Sequence, residues 1–265
     1  NKSRFAGYEL AGKTLLVIGL GAIGGPLANM AVQLGMHVIG YDPYVSVHAA
    51  WNINSAVRHG LKLEECLAAA DYVSLHIPLT PDTKGFLGEK ELAALKPGCR
   101  VLNFSRGEIV ENQAMLAAIA SGQVARYVTD FPDETMVAQP GVIAIPHLGA
   151  STEESEDNCA RMAAEEIRAY LEQGVIRHSV NFPDCDMGAL DSPARVVVLH
   201  RNIPAMVGRI TQRFGELKIN IETMNNRSRG DLAVSILDVD SVPEGEELRK
   251  LEQAEGIIRI RVIRK

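Results

Sequence analysis

The sequence lacks any long apolar run. Its uninterrupted hydrophobic stretches, such as Thr14–Leu20, fall far below the ~18 residues needed to cross a bilayer, so no membrane span is expected. The basic start and apolar core of a secretory leader are also missing. Position 1 is Asn1 rather than Met, and the expectation is a cytoplasmic protein read as a fragment of a longer chain. Positive charge is not in excess: 27 Lys and Arg against 33 Asp and Glu give a net charge of −6, which offers no general attraction to nucleic acid or to an acidic membrane. Cysteine is scarce, and Cys66, Cys99, Cys159 and Cys185 stand far apart with no C-x-x-C pair. Reduced thiols and no metal site are expected. Neither an internal repeat nor a low-complexity tract is present.

What is there is globular. Apolar residues make up 46% and charged residues 23%, with 23 Gly and 12 Pro, which excludes disorder, collagen and coiled coil. The 265 residues suit two domains at roughly 150 residues each. Apolar β-branched runs alternate with helical periodicity over the first 175 residues, the pattern of parallel strands joined by crossover helices. Strands are expected at Thr14–Gly19, His37–Tyr41, Tyr72–His76, Arg100–Phe104, Tyr127–Asp130 and Val142–Ile145. Helices are expected near Ile23–Leu34, Leu63–Ala69, Glu89–Leu95 and Asn112–Ala120. This is an α/β, doubly wound parallel Rossmann sheet.

A long helix should start at Ser151, where Ser151 and Glu154 form a capping box, and stop at Gly174. It closes a first domain over 1–180. Residues 181–194 carry Pro, Asp, Gly and Ser without period and read as a linker. Beyond them, strand, helix, hairpin, helix and strand over 195–265 make a small βαββαβ, ferredoxin-like domain.

Chemistry is written at the strand ends. Gly19-Leu20-Gly21-Ala22-Ile23-Gly24 follows the first strand and opens a helix, a G-x-G-x-x-G in the right context. Gly19 permits the turn, Gly21 lets a pyrophosphate approach the backbone, and Gly24 lets helix and strand pack closely. Asp42 ends the next strand, where a carboxylate binds ribose hydroxyls and repels a 2′-phosphate, so NAD is favoured over NADP. Arg106, Glu134 and His147 follow later strands at the same edge. Oxidising a secondary alcohol requires a base for the hydroxyl proton, which suits His147. Glu134 is expected to bond its other ring nitrogen, and Arg106 to grip a substrate carboxylate through two hydrogen bonds.

Several segments together resemble the D-isomer-specific 2-hydroxyacid dehydrogenases, and among them the phosphoglycerate-oxidising members. They are ELAGKTLLVIGLGAIG (Glu9–Gly24), VIGYDP (Val38–Pro43), HIPLTPDT (His76–Thr83), NFSRGEIVE (Asn103–Glu111), TDFPDE (Thr129–Glu134) and PHLGASTEES (Pro146–Ser155). The resemblance implies the same roles for Arg106, Glu134 and His147. It further implies that Ala22 and Ile23 touch the phosphates, that His76 and Pro78 lie along the adenosine side, and that Ser105 and Gly149 lie near the nicotinamide. The family pattern D-V-F-x-x-E is altered: aligning Phe131 and Glu134 leaves Thr129 at its Asp position and moves the aspartate to Asp130, expected on the cofactor side. One step along a strand reverses the side-chain direction.

The C-terminal region resembles an ACT domain. The resemblance implies an amino-acid effector, L-serine, held by His200, Asn202 and Asn220 between paired modules of a homo-oligomer, dimer or tetramer. The glycine usual after the Pro of that turn is Ala205 here. The expected function is NAD-dependent oxidation of 3-phospho-D-glycerate in serine biosynthesis. The alternatives are another D-2-hydroxyacid dehydrogenase, or a non-catalytic sensor of NAD and an amino acid. In the family, much of the substrate domain precedes the Rossmann domain, and residues 1–10 read as the joint that follows it. This polypeptide is therefore expected to bind NAD but to turn over poorly.

Overall fold

The structure, a computed structural model, describes residues 7–265, so the expected joint over 1–10 lies in part outside the described residues. Contacts divide the chain into two compact units, Asn1–Gly149 and Ala150–Lys265.

The first unit is built on a seven-stranded parallel sheet of order β3-β2-β1-β4-β5-β6-β7. Its strands are β1 (Thr14–Ile18), β2 (His37–Tyr41), β3 (Arg58–His59), β4 (Tyr72–Leu75), β5 (Cys99–Asn103), β6 (Val124–Thr129) and β7 (Val142–Ala144). The six expected strands are all present, and the two-residue β3 is additional, pairing with β2 through Ile39 and Gly40. Helices α1 (Gly24–Gln33), α2 (Val47–Trp51), α3 (Leu63–Ala69), α4 (Glu89–Ala93) and α5 (Asn112–Ala120) complete the alternation. Side chains of β1 divide by parity. Leu15 and Val17 pack with Ala28 and Ala31 of α1, while Leu16 and Ile18 pack with Cys66 and Leu67 of α3. A strand buried on both faces reads as an unbroken apolar run, which is why TLLVI does not alternate. Because every strand is parallel, the loops after β1, β2, β4, β5, β6 and β7 emerge at one edge. The order reverses between β1 and β4, the place where such sheets bind ligands.

The second unit begins with α6 (Glu153–Gln173). Its cap is one residue later than expected: the Thr152 hydroxyl accepts from the Ser155 amide, and Gly174 ends the helix at φ 70°. An antiparallel sheet follows in the order β11-β8-β10-β9, formed by β8 (Ala194–Arg201), β9 (Ile221–Arg229), β10 (Leu232–Val239) and β11 (Ile257–Arg264). Helices α7 (Met206–Glu216) and α8 (Gly245–Glu252) make up the βαββαβ plan. Ala194, Val196 and Val198 of β8 pack with Ile210, Phe214, Leu248 and Leu251 on one face.

The opposite face is covered by the segment expected to be a linker. Ile176, Phe182, Cys185, Met187 and Leu190 pack with Tyr170 against Val197, Val234 and Ile263. Ile176 and Cys185 exchange two backbone hydrogen bonds of 2.9 Å, and burial pushes the Cys185 thiol up to about 11. Arg195, fully buried, ties this layer down. Its Nε and Nη2 donate to Asp238 at 2.6 and 2.9 Å, its Nη1 to the Gln173 and Gly188 carbonyls, and its Nη2 also to the Ala189 carbonyl. All five guanidinium donors are used. The end of α6 is therefore packed with the C-terminal sheet, and the division between units falls before the helix rather than at 181–194.

Candidate active site

The glycine loop after β1 is shaped by its own backbone. Gly19 has φ 89°, and a Cβ there would lie 2.5 Å from the His76 carbonyl oxygen. A Cβ on Gly24 would meet the Gly19 carbonyl oxygen at 1.9 Å. Gly21 differs: no protein atom lies within 4 Å of the place its Cβ would take, so internal packing does not require a glycine there. Ile23, at the N-cap of α1, supplies no side-chain cap, and with Ala22 it is exposed. Of the first three helical residues Gly25 donates to the Gly21 carbonyl at 3.1 Å and Pro26 has no N–H, so the Gly24 amide is the one left at this positive helix end to meet a phosphate.

Asp42, just beyond β2, braces this loop. Its Oδ2 accepts from the Leu20 amide at 2.8 Å and its Oδ1 from the Tyr44 amide at 2.9 Å. Each oxygen keeps a further lone pair for a hydroxyl. His76 sits beneath the loop, where its Cβ would be 3.2 Å from a Cβ on Gly24 and its Nε2 hydrogen-bonds with the Ser74 hydroxyl at 2.8 Å. Burial lowers its affinity for a proton. Pro78 is exposed, and its carbonyl accepts from the Thr83 hydroxyl.

The loop after β5 is organised by Asn103, a residue with no exposed surface that sequence reasoning passed over. Its Oδ1 accepts from the Ser105 amide and hydroxyl at 3.1 and 2.8 Å. Its Nδ2 donates to the Arg106 carbonyl at 2.9 Å and to the Tyr127 hydroxyl at 3.3 Å. Arg106 is exposed; Nη1 donates to the Ser105 carbonyl, and the guanidinium carbon stands 5.4 Å from the Phe131 ring centre. The Phe131 ring also lies 4.3 Å from the His147 ring, tilted by 36°. One aromatic ring therefore carries both the guanidinium and the imidazole.

His147 does not pair with Glu134. Its Nδ1 meets Asp130 Oδ2 at 2.7 Å, the histidine half-exposed at 48% and the aspartate buried at 8%. Glu134 is exposed on the turn after Pro132 and makes no hydrogen bond or ion pair with any described residue. That turn is held instead by Asp133, which accepts from the Thr135 hydroxyl and from the amides of Thr135 and Met136 and also pairs with Asn112. The Thr135 hydroxyl is the largest cause holding the Asp133 carboxyl below its ordinary range. The physical reason for the correction is register. Asp130 directly follows β6, one place later than the family pattern, and the reversed side-chain direction brings its carboxylate to His147. Its second oxygen, Oδ1, is buried without a hydrogen-bond partner. Gly149 is exposed beyond His147.

In the C-terminal sheet the three expected effector residues are not together. His200 is buried, its Nδ1 donating to the Arg201 carbonyl at 2.8 Å and its Nε2 bonded to Ser235 at 3.0 Å. Asn202 donates to the Gly230 carbonyl at the same end. Asn220 precedes β9 at the other end, its amide donating to Asp240; there β10 pairs Val239 with both Ala194 and Ile221, whereas Arg201 pairs with Leu232. Among the described residues no group of three His, Cys, Asp or Glu side chains can hold a metal ion, and no helix is long and apolar enough to cross a membrane.

Residues 1–149 match the family model described as the D-isomer specific 2-hydroxyacid dehydrogenase, NAD binding domain. The chain is 32% identical to D-3-phosphoglycerate dehydrogenase 2 of Saccharomyces cerevisiae, over 99% of this chain and 60% of that one. To D-3-phosphoglycerate dehydrogenase of Escherichia coli strain K12 it is 30% identical, over 99% of this chain and 66% of that one. It thus spans about three fifths of the length of such relatives. Among solved structures, a glyoxylate reductase from Paecilomyes thermophila superposes at TM-score 0.58 with 29% identity, covering 66% of this chain and 54% of that one. An NAD complexed form of a D-isomer specific 2-hydroxyacid dehydrogenase from Lactobacillus delbrueckii ssp. bulgaricus superposes at 0.59 with 26% identity, covering 67% and 58%.

Proposed function

The chain belongs to the D-isomer-specific 2-hydroxyacid dehydrogenase family, and from that premise we propose that it oxidises 3-phospho-D-glycerate at its 2-hydroxyl to 3-phosphohydroxypyruvate with NAD. The observation that carries this reading is the Phe131 ring, which brings His147 and Arg106 together at the carboxyl edge of the sheet. The residues present fit the cofactor. Gly19 and Gly24 fold a loop onto the start of α1, where no side chain caps the helix, and Asp42 keeps acceptor capacity for the ribose. Bound NAD supplies the hydride acceptor.

The protein's part is binding and proton transfer. Arg106 retains donors with no partner among the described residues, enough to hold a carboxylate by two hydrogen bonds. His147 Nε2 is likewise unpaired among the described residues and takes the hydroxyl proton. Ser105 lines the same loop on the nicotinamide side. The C-terminal sheet has the strand order of a ferredoxin-like module, and on this reading it is an ACT domain that binds L-serine. With Asn220 at the end opposite His200 and Asn202, one serine site needs two modules, which supports a homo-oligomer. On this reading the enzyme is placed in the cytoplasm.

The test follows NADH absorbance with 3-phospho-D-glycerate, D-glycerate and D-lactate for this chain and its His147→Ala and Arg106→Ala variants. The expected result is slow turnover of the phosphorylated acid, in keeping with the impaired activity expected of this chain, lost by at least about 100-fold in His147→Ala. Retained NAD binding with no NADH from any acid would refute the oxidation. Equal rates on all three acids would refute the substrate.

A further inference from the structure

Resting on the reading of His147 as the base, we infer that Asp130, and not Glu134, is the carboxylate that positions it. The geometry points one way. An ionised carboxylate only accepts hydrogen bonds, so the 2.7 Å contact fixes the proton on His147 Nδ1 and leaves Nε2 as the basic nitrogen. Asp130 is nine-tenths buried and Glu134 is exposed, so the Asp130 charge acts through little water while that of Glu134 is solvated. Asp130 Oδ1 has no hydrogen-bond partner. Its carboxylate is thus incompletely satisfied, and the pairing strengthens when His147 gains a proton and becomes a cation. That is the state the imidazole enters on taking the substrate's hydroxyl proton: the O–H bond breaks, the Nε2–H bond forms, and the positive charge arises beside Asp130. Phe131 packs on the ring and limits its rotation, so orientation comes from packing and tautomer from the carboxylate. Asp130 is a positioning residue, reaching the reacting atoms only through His147.

The experiment reads the tautomer directly and needs no turnover. The chain is labelled with nitrogen-15 histidine, and long-range nitrogen–proton spectra are recorded above the pH at which the rings are protonated, with His147→Gln assigning its signals among the seven histidines. The wild-type chain is expected to show His147 as the Nδ1–H tautomer. In Asp130→Ala the Nδ1–H loses its acceptor and the Nε2–H form grows; in Glu134→Ala the spectrum stays as wild type. With NAD and substrate, Asp130→Ala lowers kcat by about 100-fold or more without weakening NAD binding comparably, and Glu134→Ala changes kcat less than about twofold. An Nε2–H tautomer in the wild-type chain, which requires no variant to fold, overturns the inference. So does a tautomer change in Glu134→Ala but not in Asp130→Ala, or in neither. Failure of the oxidation itself leaves the spectra readable, so the two results separate.

Discussion

Replacing Arg195 by methionine is the sharpest structural test available. The side chain has no exposed surface and uses five donors, two on Asp238 and three on the carbonyls of Gln173, Gly188 and Ala189. Methionine fills similar space and donates nothing. It strands a nearly buried carboxylate and three carbonyls that lie away from any strand partner. Breaking one side of such a pair destabilises by about 3–5 kcal/mol, a large share of the roughly 5–15 kcal/mol that holds a domain together. With a urea slope of roughly 1–3 kcal/mol per molar, the midpoint of the C-terminal unit should fall by more than about 1 M. Hydrogen exchange under increasing urea reads this locally, on the amides of Val196–Val198 and of residues 174–190. The double variant Arg195→Met with Asp238→Leu removes both charges and should recover part of the loss. Loss of less than about 1 kcal/mol in the single variant, or strictly additive effects in the pair, would refute the view that this guanidinium fastens the 174–190 layer to the sheet.

Ala205 caps α7 in the left-handed region at φ 65°. Ala205→Gly should relieve about 1–2 kcal/mol of strain against about 0.4–1 kcal/mol of extra unfolded-chain entropy, so a thermal melt should show equal or higher stability. Asp42→Ala should weaken NAD binding by about 10–100-fold in calorimetry, since it removes an ionised acceptor worth about 1.5–3 kcal/mol per bond. It should also narrow the preference over NADP; an unchanged ratio counts against a ribose role. Burial pushes the Cys99 thiol up to about 12 and the Cys185 thiol up to about 11, and Cys159 is exposed. Ellman's reagent at pH 8 should therefore label one thiol quickly in the folded chain, mapped by peptide mass to Cys159. Burial also raises the Cys66 thiol, and all three buried thiols bind protons more tightly folded than unfolded, so stability should fall as pH rises above the ordinary thiol value of about 9.

The regular elements were legible because periodicity and turn chemistry agree: the apolar β1, the glycine loop, and the βαββαβ order appear where the sequence places them. Arg58–His59 was not, being two polar residues that pair only because β2 runs beside them. Residues 181–194 read as a linker since their Pro, Asp and Gly have no period, yet Phe182, Cys185, Met187 and Leu190 find a sheet face that no local pattern announces. The Asp130–His147 contact joins residues 17 apart through two neighbouring strands, so it depends on tertiary register. The one-residue shift of the aspartate in TDFPDE was the only local sign of it.

Phe131 touches both the guanidinium and the imidazole, and that makes it a ruler. Arg106 and His147, on loops after different strands, both take their place against a single side chain.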